Sequence, residues 1–284
     1  MTVLVFGKTG QVATELARVG GGDVLCLGRD EADLSDPEAC AAVIRGTDAT
    51  AVINAAAYTA VDKAEDAEAL ATVVNGETPG AMARAAAEKG LPFLHVSTDY
   101  VFDGTGDVPW RETDKVAPLN AYGRSKLRGE QEIAAAGGAY AILRTAWVFS
   151  AHGNNFVKTM LRLSAERDSL RVVEDQVGCP TPARAIADAL WRMAGAMREG
   201  QPGGVYHFGG QPAVSWCGFA QAIFERAGRD VALAGIPTAE FPTPAKRPAN
   251  SRLDCTALEA DFGIKAPDWR AGLDEVLREL GEVA

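Results

Sequence analysis

Tyr122 and Lys126 lie four residues apart in the stretch Tyr122-Gly123-Arg124-Ser125-Lys126. On a helix this spacing places both side chains on one face, one turn apart. A nearby ammonium favours the phenolate, so Lys126 is expected to lower the pKa of Tyr122 from its usual value of about 10. Such a tyrosine can donate a proton to a carbonyl oxygen while hydride reaches the carbon. The pair therefore suggests carbonyl reduction, although a surface helix with an exposed Tyr/Lys pair has the same spacing.

A third candidate, Thr98, follows a short apolar run. Leu91 to Val96 predicts a buried strand, which continues through Ser97 and ends at Thr98. Open α/β sheets keep their chemistry at the carboxyl ends of the strands. The Thr98 hydroxyl is therefore expected to hold the same carbonyl oxygen that Tyr122 protonates.

The amino terminus predicts a strand, a glycine turn and a helix. Residues 2–6 are apolar and β-rich, and Gly7-Lys8-Thr9-Gly10-Gln11-Val12-Ala13 follows them. Glycines at such a turn let backbone N–H groups approach a pyrophosphate at the start of a helix. The spacing is G-x-x-G-x-x-A, and Ala13 is small enough for close packing of helix on strand. The turn therefore predicts a dinucleotide site that includes Gly7, Gly10, Gln11 and Val12.

Two further segments bear on the cofactor. The second predicted strand, 23–27, is followed by Gly28-Arg29-Asp30 where an NAD site usually carries an acid. Arg29 suits the 2′-phosphate of NADPH, whereas Asp30 remains available for the ribose of NADH, and the balance favours NADPH. Farther along, Ala55, Ala56 and Ala57 follow the strand 51–54 and are small enough for a cofactor to lie against the backbone.

Composition excludes several classes of partner. The chain has 284 residues and a formal net charge of −10, which argues against binding to nucleic acid or to anionic membranes. Its five cysteines are scattered and form no C-x-x-C, so reduced thiols in a cytoplasmic protein are expected. The sequence shows neither a signal-peptide pattern nor an apolar run of membrane-spanning length. His95, His152 and His207 fall on different predicted elements, which makes a histidine-rich metal site improbable.

The order of predicted elements indicates an α/β fold with a doubly wound, Rossmann-type parallel sheet. Strict alternation of strand and helix continues to the strand 140–145 and then fades. We predict an NAD(P)-binding domain at 1–148, completed by about 172–208. Residues 149–171 and 209–284 are predicted to form a smaller, discontinuous substrate domain.

Trp147, just after the strand 140–145, is either a core residue or a platform for a sugar or nicotinamide ring. Arg247 and Asn250, in a proline-rich loop, suit a diphosphate and a nucleobase or else belong to a solvated charge cluster.

Several stretches together resemble the dTDP-4-dehydrorhamnose reductase family, a branch of the extended short-chain dehydrogenases/reductases. They are spread over nearly the whole chain and comprise residues 7–12, 54–57, 59–65, 97–104, 153–156 and 247–251. The resemblance implies reduction of the C4 ketone of a dTDP-6-deoxy-4-hexulose by NAD(P)H, the last step of dTDP-L-rhamnose synthesis.

The resemblance also implies roles for individual residues. Tyr122 would donate the proton, Lys126 would hold the nicotinamide ribose and tune Tyr122, and Thr98 would bind the ketone oxygen. The remaining implied cofactor contacts are Gly10, Gln11, Val12, Asp33, Leu34 and Ala55 to Ala57. The implied substrate contacts are Asp99, Tyr100, Trp147, Asn155, Arg247 and Asn250.

The resemblance further implies a homodimer with a Mg²⁺ ion bridged by acids at the interface. Glu15 matches one such acid, but Arg184 stands where another is expected, which weakens the case for a metal.

Two other functions remain open from the sequence. A nucleotide-sugar 4,6-dehydratase or epimerase usually carries extra acid/base residues, often Asp-Glu, after the threonine, whereas Asp99-Tyr100 follow Thr98 here. A non-catalytic, NADP-binding regulatory subunit of methionine adenosyltransferase shares this ancestry, but the intact Thr98, Tyr122 and Lys126 argue against it.

Overall fold

The computed structural model describes residues 2–283 of the chain. Its strands are β1 (Val3–Phe6), β2 (Val24–Leu27), β3 (Ala51–Asn54), β4 (Phe93–Thr98), β5 (Tyr140–Thr145), β6 (Val148–Phe149), β7 (Ser169–Val173), β8 (Val177–Gly178), β9 (Thr181–Pro182), β10 (Val205–His207), β11 (Val214–Ser215), β12 (Ala232–Ile236) and β13 (Asn250–Ser251).

Eleven α-helices lie in the same range. They are α1 (Gln11–Gly20), α2 (Pro37–Gly46), α3 (Val61–Ala64), α4 (Glu68–Thr72), α5 (Thr78–Glu88), α6 (Ala121–Ala135), α7 (Phe156–Glu166), α8 (Ala183–Arg198), α9 (Trp216–Arg226), α10 (Thr256–Phe262) and α11 (Trp269–Glu279). A π-helical turn, Val73–Glu77, joins α4 to α5.

Six parallel strands form the main sheet in the order β10-β5-β4-β3-β1-β2. The chain runs outward from β1 to β2 and then returns to the other side of β1 for β3, so the winding reverses between β1 and β3. Ligands of such sheets bind beyond the carboxyl ends of the strands at this reversal. The predicted doubly wound α/β fold is confirmed.

Both faces of the main sheet are buried, which explains the continuous apolar runs of β1 and β3. One face packs against α1 and α8, with Leu16 and Leu190 fully buried there. The other packs against α2 and α5, with Ile44 and Met82 fully buried. The two layers hold the carboxyl ends of β1, β3 and β4 in fixed relative positions.

A smaller part of the chain packs beside this sheet. Its core joins α7, α9 and α11 through side chains that include Phe149, Phe219 and Trp269. Strand β7 pairs with β12, so residues 169–173 belong to this part, and the chain returns to the main sheet only with α8 and β10. The predicted return at about 172 is therefore slightly early.

The carboxyl-terminal segment is divided between the two parts. Leu258 of α10 and Ile264 are buried in the core of the main sheet, whereas Leu273 and Leu277 of α11 are buried in the smaller core. The division predicted from the sequence placed all of 209–284 in the smaller domain and did not anticipate this return.

Two observations bear on the classes considered above. All five cysteines are free. Among residues 2–283, the helices are each too short or too polar to cross a bilayer.

Candidate active site

Thr98 and Asp99 mark the carboxyl end of β4. Thr98 is the last residue of the strand, and a single 3₁₀ turn, Asp99–Val101, follows it. The Thr98 hydroxyl accepts a hydrogen bond from the Tyr100 N–H at 3.1 Å and donates to Asp99 Oδ1 at 3.0 Å. Both side chains are almost fully buried, and burial raises the pKa of Asp99 to about 6. The predicted position of Thr98 at the end of a buried strand is confirmed.

Tyr122 lies in the first turn of α6, whose start is fixed by a side-chain cap. Asn120 Oδ1 accepts from the Gly123 N–H at 2.8 Å. The Tyr122 ring packs edge-on against Tyr100, with ring centroids 5.7 Å apart. Burial, and then the charge of Asp99, raise the pKa of Tyr122, while hydrogen bonding with Thr98 acts in the opposite direction. The Thr98, Asp99 and Tyr122 side chains therefore form one cluster.

This direction corrects the expectation that Lys126 lowers the pKa of Tyr122. Lys126 lies one turn farther along α6, but its Nζ donates to the Val96 carbonyl at 2.7 Å and lies 2.9 Å from His95 Nε2. The ammonium is thus held on β4. The pKa of Tyr122 is set by burial and by the charge of Asp99 instead. Burial also lowers the pKa of Lys126, to about 8, against the opposing effect of Glu130.

The glycine turn at the end of β1 meets the loop that follows β3. Gly7 has φ +115°, which side-chain-bearing residues rarely adopt, and its N–H donates to the Leu27 carbonyl at 3.0 Å. A Cβ at Gly7 would lie 3.3 Å from the Ala13 Cβ and 3.5 Å from the backbone of Ala55 and Ala56. The structure therefore brings the predicted turn and the predicted alanine loop together at the point where the winding reverses.

The other predicted cofactor residues take different positions around this turn. Gly10 precedes α1 with space around its Cα, whereas the Val12 side chain is buried in the main core. Gln11 Oε1 accepts from the Ser150 hydroxyl at 2.8 Å and from Asn155 Nδ2 at 3.0 Å. Gln11 and Asn155 therefore connect the turn to the smaller part of the molecule.

Arg29, Asp33 and Leu34 follow β2. Arg29 is exposed, and after the hydrogen bonds from Ser35 its charge helps to keep the pKa of Asp33 below the usual value. The Leu34 side chain is buried, and its carbonyl accepts from the Thr78 hydroxyl at 2.6 Å. Arg29 thus presents an exposed positive charge just beyond the end of β2.

Trp147 follows β5 in an unusual conformation. Its φ is +50°, which is rare and strained for a bulky residue, and strain of this kind concentrates at functional sites. Its ring stacks on Trp216 with centroids 3.5 Å apart and an interplanar angle of 10°. Both tryptophans are partly exposed. Trp216, which the sequence analysis did not select, thus completes an aromatic platform.

The proline-rich loop docks onto the main domain. Arg247 forms a bidentate pair with Asp62, at 2.8 and 3.0 Å, and lies near Tyr100. Asn250 is buried, and its Nδ2 donates to the Val108 carbonyl at 2.8 Å while its Oδ1 accepts from Arg252. The amide of Asn250 is therefore used within the chain, whereas Arg247 remains close to the cluster around Tyr122.

Asn75, which motif analysis did not select, holds two parts of the site together. It lies in the π-helical turn, and its side chain bonds both the N–H and the carbonyl of Tyr58, at 2.7 and 3.0 Å. It also lies 3.0 Å from the Ser125 hydroxyl, beside Lys126. π-Helical turns are frequent at functional sites, but the sequence patterns of α- and π-helices are too similar to reveal one.

The residues around Glu15 do not fit a resident Mg²⁺ ion. Glu15, His152 and Glu279 bring their ligand atoms within 4.8 Å of one another. However, Arg18 Nη1 already lies 3.1 Å from Glu15 Oε1, 3.2 Å from His152 Nε2 and 2.9 Å from Glu279 Oε1. Glu15 Oε2, buried without a hydrogen bond among the described residues, lies 3.8 Å from Arg184 Nη1. Two guanidinium groups thus take the place of a divalent cation beside Glu15.

A family model described as the RmlD substrate binding domain matches residues 1–282. The chain belongs to this family. It is 49% identical to dTDP-4-dehydrorhamnose reductase of Burkholderia thailandensis, with 99% of each chain covered, and 42% identical to that of Escherichia coli K12, with 99% of this chain and 98% of the relative covered.

Solved structures of dTDP-4-dehydrorhamnose reductases share the fold of this chain over nearly its whole length. A dTDP-4-dehydrorhamnose reductase from Clostridium acetobutylicum matches with a TM-score of 0.93 and 37% identity, covering 99% of this chain and 100% of that one. The enzyme from Bacillus anthracis, solved in complex with NADP, matches with a TM-score of 0.91 and 32% identity, covering 98% and 100%. A dTDP-glucose 4,6-dehydratase from Streptomyces venezuelae, 19% identical, shares the fold alone.

Proposed function

We propose that this RmlD-family chain reduces the C4 ketone of dTDP-4-dehydro-L-rhamnose to dTDP-L-rhamnose with NADPH. The observation that carries the proposal is the cluster of Thr98, Asp99 and Tyr122 at the carboxyl end of β4, with Lys126 fixed one turn behind it. Relatives that cover almost the whole chain carry the name of this reductase. The dehydratase, epimerase and regulatory-subunit alternatives have no comparable support.

The residues suggest how the reduction proceeds. NADPH, when bound along Gly7, Gly10 and the alanine loop, supplies the hydride. Tyr122 is protonated at neutral pH, since an ordinary tyrosine pKa is about 10 and burial raises the pKa of this one, so the phenol carries a proton for the ketone oxygen. Thr98 is adjacent and offers a second hydroxyl to the same oxygen. In this proposal Lys126 binds a ribose hydroxyl of the cofactor, as the family resemblance implies.

The surroundings supply substrate contacts in this proposal. The Trp147–Trp216 platform offers an apolar face for the sugar ring, and Asp99 and Tyr100 lie beside the reacting group. Arg247, half-buried near Tyr100, offers a cation for the diphosphate if its pairing with Asp62 is shared. Asn250 contributes by holding the loop that carries Arg247.

The finer assignments belong to the same proposal. Arg29 favours NADPH over NADH because it is exposed where the adenosine 2′-phosphate would lie. A homodimer in the cytoplasm is proposed from the family resemblance and from the reduced cysteines. Arg18 lies among Glu15, His152 and Glu279, so these residues give no support to a magnesium ion at a dimer interface.

The test is an assay of the purified chain with dTDP-4-dehydro-L-rhamnose and either NADPH or NADH. We expect one nicotinamide oxidised per sugar nucleotide reduced, with NADPH the better donor. Consumption of the keto-sugar without oxidation of NADPH would instead identify an epimerase or dehydratase. Failure to consume any dTDP-keto-sugar, with NADPH still bound, would identify a non-catalytic subunit.

A further inference from the structure

Three fully buried polar side chains connect Lys126 to the alanine loop beyond β3. Lys126 Nζ lies 2.9 Å from His95 Nε2, and His95 Nδ1 lies 3.1 Å from Asn54 Nδ2. Asn54 Oδ1 in turn accepts from the Ala56 N–H at 3.1 Å. Asn54, His95 and Lys126 are each at most 1% exposed, so water does not replace a missing partner. The donors and acceptors along this series of hydrogen bonds must therefore match one another.

One arrangement satisfies every contact when Lys126 is a neutral amine. Ala56 N–H donates to Asn54 Oδ1, and Asn54 Nδ2 donates to an unprotonated His95 Nδ1. His95 Nε2–H then donates to the lone pair of Lys126 Nζ, while a Lys126 N–H donates to the Val96 carbonyl at 2.7 Å. Each atom meets a group of the opposite kind, as buried polar atoms require.

A protonated Lys126 requires the reverse order. An ammonium has no lone pair, so it must donate to His95 Nε2, and the imidazole proton must lie on Nδ1. Asn54 must then turn its oxygen toward His95 and its NH₂ toward Ala56. A backbone N–H can only donate, so the Ala56 amide loses its partner and becomes available to another acceptor.

We propose that Asn54 and His95 are positioning residues that couple the proton on Lys126 to the hydrogen bonding of the Ala56 amide. When Lys126 changes from neutral to charged, these hydrogen-bonded groups take up one proton from solvent. His95 keeps one proton, which moves from Nε2 to Nδ1, and Asn54 turns its amide without gaining or losing a proton. An acceptor that binds the freed Ala56 N–H therefore favours the charged form of Lys126.

The relay is the hydrogen-bonded set of Lys126, His95, Asn54 and the Ala56 N–H, and charged groups pack beside its Lys126 end. Glu130, four residues along α6, is the acid that acts on Lys126, and it is itself paired with Arg144 of β5 at 2.7 Å and with the Ser97 hydroxyl at 2.6 Å. Burial and the charge of Lys126 hold the pKa of His95 well below its ordinary value. The pKa of Lys126 is lowered to about 8. His95 thus stays neutral while Lys126 changes charge.

The experiment is a tautomer titration of the purified full chain by ¹⁵N–¹H NMR with labelled histidine and alanine, without nucleotide. We expect neutral His95 to carry its proton on Nδ1 at about pH 6 and on Nε2 at about pH 9.5, with the midpoint at the Lys126 titration. The Ala56 amide resonance should move with the same midpoint. A His95 tautomer that is constant over this range, or an imidazolium that forms within it, overturns the proposal.

Two matched substitutions add a second readout. His95→Asn shortens the side chain so that it no longer reaches Lys126, and the Ala56 amide should then stop following pH. His152→Asn makes the same change at a histidine outside the relay, and the Ala56 titration should persist. A titrating Ala56 amide in folded His95→Asn contradicts the relay, and the wild-type titration decides the matter if this variant does not fold.

The relay matters for catalysis only if Lys126 acts as the proposed function states. The NMR test of the relay does not depend on that function. The NMR titration needs no substrate, so the relay can be established in a chain that reduces no sugar. Conversely, an active reductase with a constant His95 tautomer would leave the proposed function intact and remove the relay.

Discussion

At the scale of single residues, the site depends on where protons reside. Spacing alone correctly placed Tyr122 and Lys126 on one face of α6 and Thr98 at the end of β4. It did not give the direction of the Tyr122 pKa, because that direction depends on burial and on Asp99, which belong to tertiary packing. The helical neighbour Lys126 is instead held by β4.

Removing the Tyr122 hydroxyl tests its proposed role as proton donor. Tyr122→Phe keeps the ring against Tyr100 and should lower kcat by about 10²-fold or more, because the transition state loses its proton donor. The dissociation constant of NADPH, measured by fluorescence titration, should change little. An unchanged kcat would contradict the assignment.

Asp99 gives a prediction about stability and pH. Its pKa is raised, so the folded chain holds this proton more tightly than the unfolded chain, and stability is lost as pH rises through the window from about 4 to 6. At pH 8 the buried charge costs about 2–3 kcal/mol, because burial raises the pKa of Asp99 from about 4 to about 6. Asp99→Asn, which still accepts from Thr98, should therefore be more stable than wild type at pH 8.

Below about pH 4 this advantage of Asp99→Asn should vanish, because both chains then carry a neutral side chain at position 99. Urea unfolding at the two pH values measures the difference. An Asp99→Asn variant that is equally stabilised at both pH values, or destabilised at pH 8, would show that the carboxylate is not strained by burial.

At the scale of elements, α6 carries Tyr122 and Lys126 and packs closely against the π-helical turn. This close packing fixes the position of both side chains. A Cβ at Gly129 would overlap the carbonyl oxygen of Asn75 in the π-helical turn. The Asn120 cap and the start of α6 were predictable from local sequence, since capping is a local property. The π-helical turn and the Asn75 contacts were not, because they follow from packing between α4, α5 and α6.

Filling that contact should separate packing from helix propensity. Gly129→Ala should destabilise the chain by about 1–3 kcal/mol because the added methyl group forces α6 away from Asn75. Gly195→Ala, in α8 with open space around its Cα, is the control and should stabilise by up to about 1 kcal/mol. Chemical denaturation of both variants measures this, and a neutral Gly129→Ala would contradict the close approach.

At the scale of the whole molecule, several polar contacts connect the main sheet to the smaller part, and two of them lie near the proposed site. Gln11 meets Asn155 near the start of α1, and Asp62 meets Arg247 beside α3. The alternation of strands and helices predicted the main sheet well, since each β–α unit carries its own periodic signal. The return of Leu258 and Ile264 to the main core could not be predicted, because α10 is short and its apolar residues suit either core.

Metal removal tests the interpretation of the Glu15 cluster. Because Arg18 and Arg184 already neutralise this cluster, NADPH-dependent reduction and the molar mass by light scattering should be the same in EDTA as with added Mg²⁺. Arg18→Ala is the matched variant, since it leaves the three ligand residues without their guanidinium. Loss of activity or of the assembly in EDTA, restored by Mg²⁺ in the wild-type chain, would contradict it.

In the proposed reaction, hydride passes from NADPH to the sugar carbon whose oxygen Tyr122 protonates. The most direct measurement uses NADPH deuterated at the transferable C4 position, with NMR of the product formed from dTDP-4-dehydro-L-rhamnose. We expect one deuterium at C4 of the product sugar. A product with no deuterium at C4, or one that takes carbon-bound deuterium from D₂O at a ring carbon when formed with unlabelled NADPH, would contradict it.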